Sequence, residues 1–119
     1  MSVEVQNVEA EDIISMSVET SEKVLEMPAA GAIELPEVLH ALSDPIRLEI
    51  VRELASRGEQ PCGVIPLPVS ASTRSHHFKI LRDAGLTVTR LAGTQRLVSL
   101  RRGDIDGRFP GLLDAVLRR

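Results

Sequence analysis

The stretch STRSHHFKILRDAGL, residues 72–86, decides the fold of this chain. At about 100° per residue, its apolar side chains fall in one sector of a helical wheel, and its hydroxyl, imidazole and ammonium groups fall in the opposite one. Gly85 can end such a helix in the left-handed conformation. The stretch therefore predicts a helix that runs to Ala84 and has one small, polar face. The apolar sector holds Phe78, Ile80, Leu81 and Ala84, and the polar sector holds Ser72, Ser75, His76 and Lys79.

The two adjacent histidines of this helix have different predicted roles. His77 points into the apolar sector and is predicted to be a core histidine, whereas His76 stands on the polar face. Neighbouring helical residues do not face each other, so the pair cannot chelate one metal ion. Ser75, His76 and Asp83 lie on one helix without the convergent geometry of a catalytic site. We therefore expect that the protein is not an enzyme.

Two further helices are predicted upstream. Apolar residues at helical spacing indicate a first helix over Leu35–Leu42. In the second, Ser43 or Asp44 can cap the free amides, Pro45 suits the first helical position, and Gly58 ends the helix. Its apolar positions cover about half of the wheel. This pattern predicts a central helix that is covered on two sides.

The segment between the second helix and the polar helix is irregular. Its prolines, Pro61, Pro66 and Pro68, leave room for at most one helical turn around residues 62–65. We expect the next helix to begin at a serine, Ser70 or Ser72, whose hydroxyl can cap the free amides.

A β-hairpin is predicted after the polar helix. Two β-rich runs, Leu86–Leu91 and Gln95–Arg101, stand on either side of a short Ala-Gly-Thr turn. Two arginines flank the tip of the hairpin, and two more lie at its base. Helix, turn, helix and basic hairpin in this order predict a mainly α chain with a β-hairpin wing, a winged helix-turn-helix, whose cations would neutralise phosphates. The four arginines are Arg90, Arg96, Arg101 and Arg102.

Charge is distributed unevenly along the chain. Residues 1–34 hold eight acidic side chains and one lysine, a balance of −7, whereas the remaining residues sum to +4. We expect residues 1–33 to form a flexible acidic tail and residues 34–119 to form a DNA-binding and dimerisation domain. The tail either has no role or competes with nucleic acid for the basic face, and the sequence leaves both alternatives open.

Composition excludes several classes of protein. The single cysteine excludes an intrachain disulfide and a zinc site with two thiolates from one chain. Apolar runs are too short to cross a membrane, and the N-terminus is acidic where a signal peptide would be cationic, so we expect a cytoplasmic protein. The lack of Trp and Tyr argues against aromatic platforms for stacking bases.

The chain resembles the ArsR-type transcriptional regulators over roughly residues 36–117. The likeness is carried by ALSDPIRLEIVRELA at 41–55, by STRSHHFKILRDAGL at 72–86 and by the wing RLAGTQRLVSL at 90–100. The resemblance implies a homodimer that binds an inverted repeat in double-stranded DNA and usually represses transcription.

The resemblance also implies where subunits and signals would bind. The α-helical dimer interface would use Leu35–Leu42 and Phe109–Leu117. Arsenite-type sensors have clustered cysteines near the position of Cys62, and one thiolate per chain is a poor soft-metal site. Zinc or nickel sensors use histidines and carboxylates on the last helix, where this chain has aspartates alone, and Asp104 is better explained as a helix cap. We expect no cofactor and no high-affinity metal site, and control by an effector or a partner protein stays open. The aspartates are Asp104, Asp106 and Asp114.

The predicted DNA contacts come from the polar helix and the hairpin tip. Small residues near the helix start let the backbone approach a major groove, where donors reach phosphates or base edges. Arg74 stands where the family often has an apolar residue; it can snorkel to a phosphate, pair with an acid or loosen the helix. The alternative is a winged-helix protein-interaction module, but four arginines along one hairpin favour DNA. The candidates are Ser70, Ser72, Thr73, Arg74, Ser75, His76, Lys79, Arg90 and Arg96.

Overall fold

The computed structural model describes residues 23–118, which form a helical domain with a small antiparallel sheet. The mainly α fold with a β-hairpin wing is confirmed. Among these residues no helix is long and apolar enough to cross a bilayer. In chain order the elements are β1 (Lys23–Val24), α1 (Leu35–Leu42), α2 (Pro45–Arg57), β2 (Gln60–Pro61), α3 (Ala71–Ala84), β3 (Thr87–Ala92), β4 (Gln95–Leu100), α4 (Arg102–Arg108) and α5 (Leu112–Leu117), with single 3-10 turns at Ala30–Ala32 and Cys62–Val64.

Local signals set the ends of α2 and α3, as the sequence predicted. The Asp44 carboxylate accepts from the first free amides of α2, and Pro45 is the first residue of that helix. The Ser70 hydroxyl accepts from an amide in the first turn of α3. Gly58 and Gly85 end the two helices with φ of 78° and 92°, which only glycine adopts at no steric cost.

The three long helices and the sheet share one core. The strands run in the order β1-β3-β4-β2, and every neighbouring pair is antiparallel. β3 and β4 form the hairpin, with Thr87 opposite Leu100 and Ala92 opposite Gln95. Helix α3 packs against α1, α2 and β3, so one side of it is covered and the other is open. The buried side chains of this core include Val38, Ile50, Val51, Leu54, Phe78, Leu81, Leu86, Val98, Ile105 and Leu113.

The domain begins earlier than expected. Residues 23–33, which we assigned to a flexible tail, include β1 on the sheet, and the side chain of Ile33 is only 1% exposed. Ile33 packs on Gly85, where an added Cβ would lie 2.6 Å from Ile33 Cγ1. These residues precede the expected boundary at residue 34, and an apolar side chain in the core anchors them to the domain. The rest of the predicted tail lies outside the described residues.

Two helices replace the single last helix that we predicted over Phe109–Leu117. Helix α4 lies before the predicted range. Helix α5 begins within that range, at Leu112, because Gly111 turns the chain with φ of 85°. The sequence of α4, RGDIDGR, holds two glycines, whose low helix propensity weakens the signal for a separate helix. Asp104 is not a helix cap: it lies in the first turn of α4 and accepts from Arg101 Nε at 3.1 Å.

Candidate nucleic-acid interface

The polar side chains of α3 lie on the open side of the helix. Ser72, Ser75, His76 and Lys79 are exposed, and we call these four residues the outer face. His77 is 9% exposed, so the predicted difference between the two histidines is confirmed. A long helix thus presents a compact row of hydrogen-bond donors to solvent, with its apolar residues turned into the core.

The first turn of α3 carries a cluster of three hydroxyls. Ser70 Oγ accepts from the Thr73 amide at 3.3 Å and donates to Thr73 Oγ1 at 3.0 Å. Ser72 Oγ lies 3.3 Å from Ser70 Oγ, and all three residues are exposed. These hydroxyls stay accessible while they are held at the helix N-terminus, where the backbone amides and the helix dipole favour an anion.

A buried polar network joins α3 to α2. Arg47, which is 7% exposed, donates through Nη1 to His77 Nδ1 at 3.2 Å. An arginine carries donors and no acceptor, so Arg47 is the donor in this contact. The same guanidinium donates to the carbonyls of Ala41 at 2.7 Å and His40 at 3.2 Å, at the end of α1. One side chain therefore connects α1, α2 and the helix with the outer face.

Asp44 adds a negative charge at the edge of this network. Partial burial acts to raise the pKa of its carboxyl, but the amide hydrogen bonds from Arg47 and Ile46, together with the Arg47 charge, outweigh burial. The pKa of Asp44 therefore lies below its usual value. The carboxylate that caps α2 is stabilised by the arginine that holds α3.

Arg74 tethers the irregular turn before α3. Its Nη1 donates to the carbonyl of Ile65 at 2.7 Å and to that of Cys62 at 3.0 Å. None of the three roles we considered for Arg74 describes this arrangement, because the partners are backbone carbonyls rather than a phosphate or an acid. The segment holds only one 3-10 turn, so its carbonyls lack the bonds of a full helix, and Arg74 satisfies two of them.

Most arginines of the wing already have partners. Arg90 Nε and Nη2 each donate to a carboxylate oxygen of Glu59 at 2.8 Å, a two-point ion pair. These hydrogen bonds hold the pKa of Glu59 below its usual value, against a smaller opposing effect of burial. Arg101 is 8% exposed and donates to the carbonyl of Pro28. Arg102 pairs with Asp106 and Asp114 on α4 and α5.

The continuous cationic ribbon that the sequence suggested is therefore reduced to its tip. Arg96 is exposed, and within residues 23–118 its side chain makes no hydrogen bond or ion pair. It faces Leu91 across the hairpin. Because its charge is not compensated locally, Arg96 is the wing cation best able to meet a phosphate.

A groove between α3 and the hairpin brings several candidates together. It has a volume of about 360 Å³, and four basic residues but no acidic one line it among the described residues. We call it the basic groove. Its floor is apolar, with Phe78 and Val98 buried beneath the charged rim. Ser75 and Lys79 of the outer face thus share one surface with the wing. The basic residues are Arg74, Lys79, Arg82 and Arg96.

Arg82 was missed in the sequence analysis. It lies three residues after Lys79 and seven after Ser75, so the same helical spacing that defined the outer face would have found it. It also borders a second groove, which Leu25–Pro28 form against the C-terminal half of α3. Lys79 borders both grooves and pairs with Asp83 at 2.6 Å, an exposed ion pair that screens part of its charge.

No metal site emerges within residues 23–118, where no three His, Cys, Asp or Glu side chains come close enough to hold an ion. The aspartates we considered as ligands serve as acceptors for arginines instead. Asp104 pairs with Arg101, and both other aspartates pair with Arg102. Cys62 lies partly exposed on the edge of the basic groove.

Comparison of the sequence with known proteins finds relatives among transcriptional regulators. Residues 42–90, which run from the end of α1 to β3, match a helix-turn-helix domain family. The chain is 39% identical over 83 residues to an uncharacterized HTH-type transcriptional regulator, YceK, of Bacillus subtilis, covering 67% of this chain and 83% of that protein.

A second relative and a solved structure agree with this match. The chain is 40% identical over 75 residues to an arsenical resistance operon repressor of Staphylococcus xylosus, covering 61% of this chain and 71% of that protein. The crystal structure of an ArsR family transcriptional regulator superposes with a TM-score of 0.58 at 23% identity, over 68% of this chain and 90% of that one. The latter likeness concerns the fold.

Proposed function

This chain belongs to the ArsR family of winged helix-turn-helix transcriptional regulators, and from that premise we propose that it acts as a homodimeric repressor on an inverted-repeat operator. The protein is a transcriptional regulator with a helix-turn-helix DNA-binding domain. The observation that supports the specific proposal is the basic groove, which aligns Lys79 and Arg82 of α3 with Arg96 of the wing.

In this proposal the outer face of α3 lies in a major groove of DNA. Serines at its start allow close approach, and His76 and Lys79 provide donors for base edges or phosphates. Ser70 and Thr73 would bind a backbone phosphate at the helix N-terminus. Arg96 would bind a phosphate on the flank of the major groove. Arg90 would also bind a phosphate if its ion pair with Glu59 opened when DNA binds.

Arg74 contributes to this interface by positioning. Its bonds to the carbonyls of Cys62 and Ile65 fix the turn that leads into α3. A contact of Arg74 with phosphate would have to use the guanidinium nitrogens that this turn leaves open. We therefore assign Arg74 mainly to the orientation of α3.

The proposed dimer uses α1 and the last helices. Leu35 and Leu39 on α1 are 40% and 47% exposed, although the neighbouring Val38 is fully buried. On α5, Val116 and Leu117 are only partly covered. Burying such side chains in a two-fold interface stabilises association by about 25 cal/mol per Å² of apolar area. A two-fold dimer presents two α3 helices to successive half-sites.

Repression is proposed because the relative from Staphylococcus xylosus is an arsenical resistance operon repressor. The signal would differ from a soft metal bound by clustered thiolates, since Cys62 is the single cysteine of the chain. A small molecule between protomers or a partner protein would then relieve repression.

The first test is selection of bound fragments from sheared genomic DNA at two salt concentrations, followed by sequencing. We expect the fragments retained at the higher concentration to share an inverted repeat whose half-site centres lie about one helical turn apart. Binding that vanishes with salt and enriches no sequence would contradict an operator-specific dimer and direct attention to a protein partner.

Variants of the basic groove test the interface itself. Arg96→Met and Lys79→Ala should each weaken operator binding. Each should also lower the magnitude of the slope of log K against log salt by about one. Arg57→Met is the matched control, because Arg57 is 70% exposed on α2 and pairs with Glu53, away from this groove. Equal affinities for Arg96→Met and the wild type would argue against contact of the wing with DNA.

A further inference from the structure

The N-terminal strand β1 lies on the edge of the hairpin formed by β3 and β4. β1 is antiparallel to β3, with Lys23 opposite Leu91 and Val24 opposite Arg90, and the Leu25 amide donates to the Thr89 carbonyl at 2.9 Å. Because the strands are antiparallel, lower-numbered residues of β1 pair with higher-numbered residues of β3, which lie nearer the hairpin turn. Lys23, the first residue that the structure describes, therefore lies at the end of β1 nearest the hairpin tip.

Arg96 lies in the same row of the sheet. Leu91, which pairs with Lys23, pairs on its other edge with Arg96. Only one strand thus separates the entry point of the N-terminal segment from the exposed, locally uncompensated cation of the wing. The Leu25–Pro28 segment then passes along α3, where it borders a groove with Lys79 and Arg82. Residues 23–28 therefore lie beside the interface proposed for DNA both near the hairpin tip and along α3.

The segment before this strand has the opposite charge to that interface. Residues 1–22 contain six carboxylates and no Lys, Arg or His. The basic groove holds four cations and no acidic lining residue among those described. A stretch of 22 residues can span at most about 79 Å, so its length does not restrict which part of the groove it reaches. The acidic residues are Glu4, Glu9, Glu11, Asp12, Glu19 and Glu22.

We infer that residues 1–22 are an intramolecular occupant of the basic groove and compete with DNA for Lys79, Arg82 and Arg96. Attachment through β1 makes this competition unimolecular, with an effective concentration on the order of millimolar. Weak carboxylate contacts are then sufficient to oppose phosphate binding. The competition with DNA rests on the proposed function, whereas occupancy of the groove by the segment does not.

The segment would act mainly against non-specific binding. Non-specific DNA is held almost entirely by phosphate contacts, which carboxylates can replace. An operator adds base contacts from the outer face, which carboxylates do not reproduce. The segment therefore raises the ratio of specific to non-specific affinity, and any factor that removes it from the groove loosens that discrimination.

The test compares full-length proteins that differ only in charge. In one variant all six acids are neutralised: Glu4→Gln, Glu9→Gln, Glu11→Gln, Asp12→Asn, Glu19→Gln and Glu22→Gln. We expect it to bind non-specific duplex DNA about tenfold more tightly than the wild type at low salt, and the difference to shrink as salt rises. Fluorescence anisotropy with labelled duplex measures both affinities.

A matched pair of double variants controls for net charge. Glu19→Gln with Glu22→Gln removes two charges next to β1, and Glu49→Gln with Glu53→Gln removes two charges from α2, beside a different groove. Only the first pair should strengthen DNA binding appreciably. If both double variants strengthened DNA binding equally, net charge alone would explain the result, and the inference would be overturned.

Amide spectra provide a readout that needs no DNA. Between the wild type and the six-site variant, ¹H–¹⁵N shift differences within residues 23–118 should concentrate at Lys79, Arg82 and Arg96 and disappear at high salt. Unchanged shifts at these positions would overturn the inference even if DNA bound neither protein. If DNA bound both proteins equally at every salt concentration, competition would be refuted and the proposed function would stand.

Discussion

The Arg47 guanidinium lies 3.2 Å from Nδ1 of His77, and this buried contact joins α2 to the helix that carries the outer face. His77 and His76 are neighbours in sequence, yet one is held in the core by Arg47 and the other is exposed. The orientation of the outer face therefore depends on a polar network beneath it as well as on apolar packing.

Arg47→Met should destabilise the protein by about 2–4 kcal/mol. The change leaves His77 and the carbonyls of Ala41 and His40 without their buried donor, and unsatisfied buried polar groups are costly. Urea unfolding followed by circular dichroism measures the free energy of unfolding. Arg57→Met, on the exposed side of the same helix, should change it by less than about 0.5 kcal/mol. Equal losses for both variants would contradict a special role for Arg47.

Asp44→Ala should cost about 1–2 kcal/mol near neutral pH, because α2 loses its N-cap. The folded-state pKa of Asp44 is lowered, so its carboxylate contributes stability that is present above the unfolded pKa of about 3.9 and lost as pH falls through the folded pKa. The difference between wild type and Asp44→Ala should therefore shrink below about pH 4. Urea unfolding at several pH values measures this.

Asp44→Asn separates the cap from its charge. Asparagine caps helices about as well as aspartate but does not titrate in this range. The variant should retain most of the stability near neutral pH and lack the acid-dependent part. A pH profile identical to that of the wild type would show that the Asp44 charge makes no contribution.

Arg74→Met should destabilise the protein by about 1–3 kcal/mol, because the carbonyls of Cys62 and Ile65 lose their donor. DNA affinity should fall as well, with an unchanged slope of log K against log salt, since positioning involves no phosphate. Arg96→Met should instead leave the stability unchanged and reduce the magnitude of this slope by about one. A reduced slope for Arg74→Met would assign Arg74 a direct phosphate contact instead.

Leu39→Glu should convert the proposed dimer into a monomer. Leu39 is 47% exposed on α1, so the glutamate is tolerated in one protomer but places a charge in the interface between two. Light scattering after size-exclusion chromatography measures the molar mass, which should be halved. Val64→Glu is the control, because Val64 is also exposed, at 61%, but belongs to the 3-10 turn before α3. An unchanged mass for Leu39→Glu would exclude α1 from the interface.

Much of the fold was predictable because its signals are local. Helical periodicity, an Asp-Pro start and a left-handed Gly85 each act over a few residues, and they defined α1, α2 and α3. The hairpin followed from two β-rich runs around a short turn. The helical wheel alone distinguished His76 from His77. The expected cap at Asp104 implied a helix in the last part of the chain, but its division into α4 and α5 was not predicted.

The sequence by itself thus determined the helix-turn-helix, the wing and the polar face of α3, whereas the tertiary structure decided which cations are available. Arg90 meets Glu59 from 31 residues away, and Arg101 meets the carbonyl of Pro28 from 73 residues away. Ile33 and β1 join the domain through similarly distant contacts. Such pairings depend on the path of the whole chain, because capping and periodicity carry no information beyond neighbouring turns.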